Sequence, residues 1–70
     1  LMAVNDKLVD RGTRIISQVT ALDYESAKSK LFKAEKSVKT AIVMEKLNCS
    51  LVEARKKLDN ANGFLRKVIG

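Results

Sequence analysis

Lys7 and Arg11, with Arg14 beyond them, carry the clearest chemical pattern in this 70-residue sequence. On an α-helix, side chains four residues apart share a face, so both heads could reach one phosphate. Charge-assisted hydrogen bonds of that kind contribute about 1.5–3 kcal/mol each where water is partly excluded. The same stripe also reads as a solvated basic face, and Arg14 as one half of a surface ion pair. A second basic run, Arg55-Lys56-Lys57, falls on the outer face of a later helix and reads as solvated.

Other chemistry is thinly supplied. Histidine is absent, which removes Ser-His-Asp and Cys-His nucleophile systems and the usual zinc sites. Glu25, Glu35, Glu45 and Glu53 offer carboxylates, but a general acid needs a raised pKa from a dry pocket or a neighbouring like charge. Their surroundings suggest neither. No phosphate-cradling glycine loop, EF-hand loop or metal-ligand cluster occurs, so no metal and no cofactor is expected. Cys49 is the single cysteine and reads as a small core residue. The chain by itself is not expected to be an enzyme, and it holds no catalytic residue.

The elements that position these groups are helices. Proline is absent and only three glycines occur, which suits a chain of helices and not a sheet with many turns. The first helix is expected over residues 5–20. At about 100° per residue, Val4, Leu8, Gly12, Ile15 and Val19 form its apolar stripe, flanked by Val9 and Ile16. Lys7, Arg11, Arg14 and Gln18 run beside that stripe, with Asp6 and Asp10 on the far side. A glycine inside a helix costs about 1 kcal/mol, so Gly12 marks a close contact. Asp23 is the expected N-cap of a second helix over 24–34, with Tyr24, Ala27, Leu31 and Ala34 inward and Phe32 widening the face. Ser37 caps a third over 38–47, with Val38, Ala41, Ile42 and Met44 inward. Asn48 suits a left-handed C-terminal position. Ser50 and Glu53 make a capping box for a fourth helix over 51–61. Asn62-Gly63 ends that helix, and a short helical turn closes the chain. The fold class is all-α: a small bundle of four short helices, the last three forming a unit around Leu31, Val38, Ile42, Leu51, Leu58 and Phe64.

The net charge is +6, and it is uneven. Residues 1–35 hold six basic and five acidic side chains, whereas residues 36–70 hold eight and three. That balance suits nucleic acid, a phosphorylated small molecule or an acidic protein, or is a solubilising surface. No apolar run approaches the length of about 20 residues that a membrane span needs. Leu1-Met2-Ala3-Val4 lacks the basic and apolar regions of a signal peptide and does not begin like a translated protein. The expectation is a cytoplasmic piece of something longer on its N-terminal side, with no membrane partner.

The middle of the chain, Ala27-x-x-x-Leu31-x-x-Ala34-x-x-x-Val38-x-x-Ala41-Ile42, resembles the second and third helices of ubiquitin-associated (UBA) domains. Its Thr20-Ala21-Leu22-Asp23-Tyr24 loop lacks the Met-Gly-Phe type of sequence through which ubiquitin binders make contact. A closer resemblance covers nearly the whole chain. Asn5-Asp6-Lys7-Leu8-Val9-Asp10-Arg11, Arg14-Ile15, Val38-Lys39-Thr40-Ala41-Ile42-Val43-Met44, Ser50-x-x-Glu53-Ala54-Arg55 and Asn62-Gly63-Phe64-Leu65-Arg66-Lys67 resemble, in order, the C-terminal region of N-acetylmuramic acid 6-phosphate etherases. The sequence departs from that family at Glu35-Lys36, where a glycine-containing turn is usual, and at Asn48, where glycine is.

The resemblance implies a parent homodimer that joins an N-terminal sugar-isomerase (SIS) domain to a C-terminal UBA-like helical domain. Such an enzyme cleaves the D-lactyl ether of N-acetylmuramic acid 6-phosphate to N-acetylglucosamine 6-phosphate and D-lactate in cell-wall recycling, with its catalytic carboxylates on the SIS domain. In the wider family, which includes the glucokinase regulatory protein, the helical region is a lid over the sugar-phosphate site. The resemblance therefore implies that residues 1–22 pack on an SIS domain of the same chain or a dimer mate. Residues 23–70 would form the UBA-like unit, and Lys7, Arg11 and Asn5 would contact the sugar phosphate. A UBA-like protein-binding module without a catalytic role is the alternative. A basic nucleic-acid-binding domain fits less well, because no helix sets base-reading residues beside phosphate-binding ones and aromatics are scarce.

Overall fold

The computed structural model describes the backbone of residues 2–69 and the side chains of residues 7–69. Five helices follow in order: α1 (Met2–Thr20), α2 (Tyr24–Lys33), α3 (Val38–Leu47), α4 (Leu51–Asn60) and α5 (Leu65–Ile69). No strand occurs among the described residues. The expected all-α bundle is the one observed, with each interior helix within a residue or so of its expected bounds.

Local chemistry sets those bounds. The Ser37 side chain accepts from the Thr40 amide at the start of α3, and that of Ser50 accepts from the Glu53 amide at the start of α4. Each satisfies an amide that has no partner inside its helix. Asp23 has the extended backbone of an N-cap but its side chain makes no capping bond, contrary to expectation. Asn48 takes the left-handed conformation expected of it, at φ 51°. Between α2 and α3 both Glu35 (φ 55°) and Lys36 (φ 67°) are left-handed. That explains why glycine would suit this turn, since a side chain there is strained.

α3 is the axle of the bundle. It packs against all four other helices, and its consecutive residues Thr40, Ala41, Ile42, Val43 and Met44 are all buried. A helix packed on several sides needs a broad buried surface, and α3 keeps its charged residues Lys39 and Lys46 at its exposed ends. Ile16 from α1, Ala27 and Leu31 from α2, and Ala54 and Leu58 from α4 complete one core. Three expected core residues lie elsewhere, among them Phe32, which falls at the outer edge of the α2 face and is 49% exposed. Phe64, which directly follows the left-handed Gly63 (φ 79°), is 58% exposed, with the Lys67 ammonium 5.3 Å from its ring centroid. Tyr24 is exposed, its hydroxyl directed to α1. Cys49 is half-buried against the core, as expected of a small apolar residue.

α1 enters the bundle by a different face from the one its pattern suggested. Of the expected stripe, Gly12 is buried in the close contact expected of it, the Val4 side chain lies outside the described residues, and the rest is exposed, at 62% for Leu8, 40% for Ile15 and 39% for Val19. The inward arc is Val9, Gly12, Thr13 and Ile16, of which the last three are buried. Gly12 allows α1 to approach closely, since a Cβ there would lie 3.0 Å from Val38 Cγ2. Thr13 is tolerated inside because its hydroxyl donates to the Val9 carbonyl at 2.7 Å.

Candidate functional site

On the outside of α1, three bands run side by side. The buried arc is followed by the exposed apolar stripe Leu8-Ile15-Val19, and that by the exposed basic stripe Lys7-Arg11-Arg14. The basic stripe therefore borders an unburied apolar band and not the core-facing one. Lys7 and Arg11 line an open, shallow depression together with Asp10, Arg14, Ile15 and Gln18. One helical turn, a rise of about 6 Å over four residues, separates the two cations, so one phosphate can be bonded by both. Among the described side chains no carboxylate forms an ion pair with either. Asn5, the third residue expected at this site, has its side chain outside the described residues.

Arg14 is differently engaged. Its Nε donates to Asp10 Oδ2 at 2.9 Å, while the Tyr24 hydroxyl donates to Asp10 Oδ1 at 2.8 Å. The Tyr24 hydrogen bond first, and the Arg14 charge with it, hold the Asp10 carboxyl below its ordinary value. The same bond to Asp10 pushes the Tyr24 phenol up. Asp10 thus faces the basic depression and not the far side, a correction to the sequence reading. Its i, i+4 spacing to Arg14 was the available signal. The partner on α2 was not legible, because a tyrosine that opens an apolar stripe reads as core.

A second concavity lies just round the helix. Leu8 and Ile15 from α1 and Leu31 and Val38 from α2 and α3 enclose a groove of about 340 Å³ over Gly12, with Arg11 and Lys36 at its rim. Lys36 had no expected role; the left-handed turn brings it there. The Arg55-Lys56-Lys57 run is exposed, as expected, and the Arg55 guanidinium bonds the Glu35 carboxylate, tying α4 to the α2–α3 turn. Glu45, half-buried, pairs with Lys30 at 3.4 Å. Among the described residues no group of three or more potential metal ligands occurs. Nor, among the described residues, is any helix long and apolar enough to cross a membrane.

The chain is 55% identical over 67 residues to the N-acetylmuramic acid 6-phosphate etherase of Oceanobacillus iheyensis, which covers 96% of this chain and 23% of that protein. It is 45% identical over 69 residues to the enzyme of the same name from Bacillus cereus strain AH820, covering 99% of this chain and 24% of the relative. For Bacillus cytotoxicus the identity is 44% over 69 residues, with the same coverage of 99% and 24%. The chain therefore spans about a quarter of the length of the curated relatives it matches. No family model and no solved structure matches it. The resemblance read from the sequence is borne out along nearly the whole chain.

Proposed function

We propose that this chain, a relative of N-acetylmuramic acid 6-phosphate etherases over about a quarter of their length, is the C-terminal helical lid of such an enzyme. The reading is carried by one arrangement: Lys7 and Arg11 stand exposed on successive turns of α1, beside an apolar stripe that the bundle itself leaves unburied. α1 serves two surfaces. Its Val9-Gly12-Thr13-Ile16 arc holds it in the bundle, and its Leu8-Ile15-Val19 stripe docks on the catalytic SIS domain of the same chain or of a dimer mate. Docking closes the basic stripe over the sugar phosphate, where two cations in a partly dry site are worth more than in water.

The parent enzyme, a cytoplasmic homodimer in this reading, cleaves the D-lactyl ether of N-acetylmuramic acid 6-phosphate to N-acetylglucosamine 6-phosphate and D-lactate during cell-wall recycling. The bond-breaking carboxylates belong to the other domain, and Lys7, Arg11 and Asn5 grip the phosphate end. Steady-state kinetics of the full-length protein test this. Lys7→Ala or Arg11→Ala should raise KM about ten- to a hundredfold, the span of one charge-assisted hydrogen bond, with kcat falling less than kcat/KM. Lys56→Ala and Lys57→Ala, on the outer face of α4, should change neither. Equal behaviour of the two pairs would reduce the basic stripe to a solvated face.

A further inference from the structure

The groove over Gly12 is a second feature of the same helix, and nothing above says what fills it. Its floor is tightly packed: a Cβ on Gly12 would sit 3.0 Å from Val38 and 3.4 Å from Leu31, so the open space lies above the glycine, among the lining side chains. Its walls, Leu8 and Ile15, are apolar and exposed, an arrangement that costs free energy while it faces water. Its rim is basic on both sides, with Arg11 from α1 and Lys36 from the α2–α3 turn. Lys36 is held there by a strained backbone: its φ is 67°, and its amide donates to the Leu31 carbonyl at 2.8 Å. No carboxylate among the described side chains pairs with Arg11 or Lys36.

We infer that this groove seats an apolar side chain flanked by carboxylates, presented by the part of the parent etherase that lies outside these 70 residues. The inference deepens the docking half of the reading above and does not depend on the phosphate grip. Two observations choose the occupant. The related proteins are about four times as long as this chain, so a covalently supplied partner of ample surface is available. The rim is basic and the chain carries +6 overall, which disfavours a second copy of the same face and favours an acidic-flanked one. An apolar knob over Gly12 would bury Leu8 and Ile15, and two carboxylates would neutralise Arg11 and Lys36. Arg11 would then be oriented by the occupant on one side while facing the phosphate depression on the other.

Thiol labelling tests this. Leu8→Cys is made in a Cys49→Ser background, both in the 70-residue chain and in the full-length protein, and reacted with a neutral maleimide. Labelling of Cys introduced at Leu8 should be at least about tenfold slower in the full-length protein, because the groove is filled there. Adding Lys36→Glu, or raising salt to about 0.5 M, should return the rate toward that of the short chain, since both weaken an acidic contact. A glutamate placed near a free thiol slows its reaction by raising its pKa, so an acceleration reports release of the occupant. Lys57→Glu serves as the control and should have no effect. Equal rates in the two chains would overturn the proposal by showing an open groove. Protection insensitive to Lys36→Glu and salt would overturn the acidic occupant, and protection that grows with protein concentration would assign the groove to a second copy. Normal kinetics for Lys7→Ala and Arg11→Ala would refute the phosphate grip without touching this result.

Discussion

Replacing Gly12 by alanine sets two effects of known size against each other. Alanine in a helix interior is favoured over glycine by about 1 kcal/mol. Against this, the new Cβ would lie 3.0 Å from Val38 Cγ2 and 3.4 Å from Leu31 Cδ2. Carbon atoms prefer separations of about 3.5–4.0 Å, so Val38 or α1 itself must yield by several tenths of an ångström. Val38 is the first residue of α3, and a β-branched side chain in a helix has one strongly preferred rotamer. Turning its methyl aside would cost about 0.5–1.5 kcal/mol, and overpacking a tight contact typically costs about 1–3 kcal/mol. Gly12→Ala should therefore destabilise the chain by about 1 kcal/mol net. Val38→Ala removes the opposing methyl, and in that background Gly12→Ala should stabilise by about 1 kcal/mol, a coupling of about 2 kcal/mol. Urea unfolding of the four proteins of this cycle, compared at constant m-value, measures the coupling. A higher midpoint for Gly12→Ala alone, with no coupling to Val38, would refute the claim that glycine sets the distance between α1 and α3.

Two further perturbations probe the turn and the α1–α2 contact. Lys36→Gly relieves a left-handed residue at φ 67° and should stabilise the chain by about 0.5–1 kcal/mol after the extra entropy of an unfolded glycine, read as a shift in urea midpoint. Tyr24→Phe removes the hydroxyl that donates to Asp10, so the Asp10 carboxyl should titrate closer to its ordinary value in side-chain NMR. Because that value is depressed in the folded chain, the stabilisation it reports is present above the ordinary carboxylate range and is lost as pH falls through the lowered value. The stability difference between wild type and Tyr24→Phe should accordingly shrink in strong acid. An unchanged Asp10 titration would show that the Tyr24 hydroxyl does not set it and that the neighbouring cations do.

The number, order and limits of the helices were legible in the sequence because each rests on contacts a few residues long. Ser37 and Ser50 cap the amides three residues on, Asn48 turns the chain where only a few residue types can, and the apolar spacing of α2 to α4 points at their shared core. The pair Lys7 and Arg11 was equally legible, since a four-residue spacing on a helix fixes a common side without further information. What the sequence left open was the face of α1 that the bundle would use. The arc of Val9 and Ile16 and the arc of Leu8, Ile15 and Val19 lie within a quarter-turn of each other, and apolar spacing does not separate them. Only the tertiary structure chose, because close approach at Gly12 and Thr13 sets Ile16 in the core and leaves Leu8 and Ile15 outside it. That same choice exposed the Leu8 stripe, carried Tyr24 to Asp10, and set Lys36 at the rim of the groove. Each of these joins residues far apart in the chain, and their meeting depends on how closely helices pack, a quantity that no local pattern records.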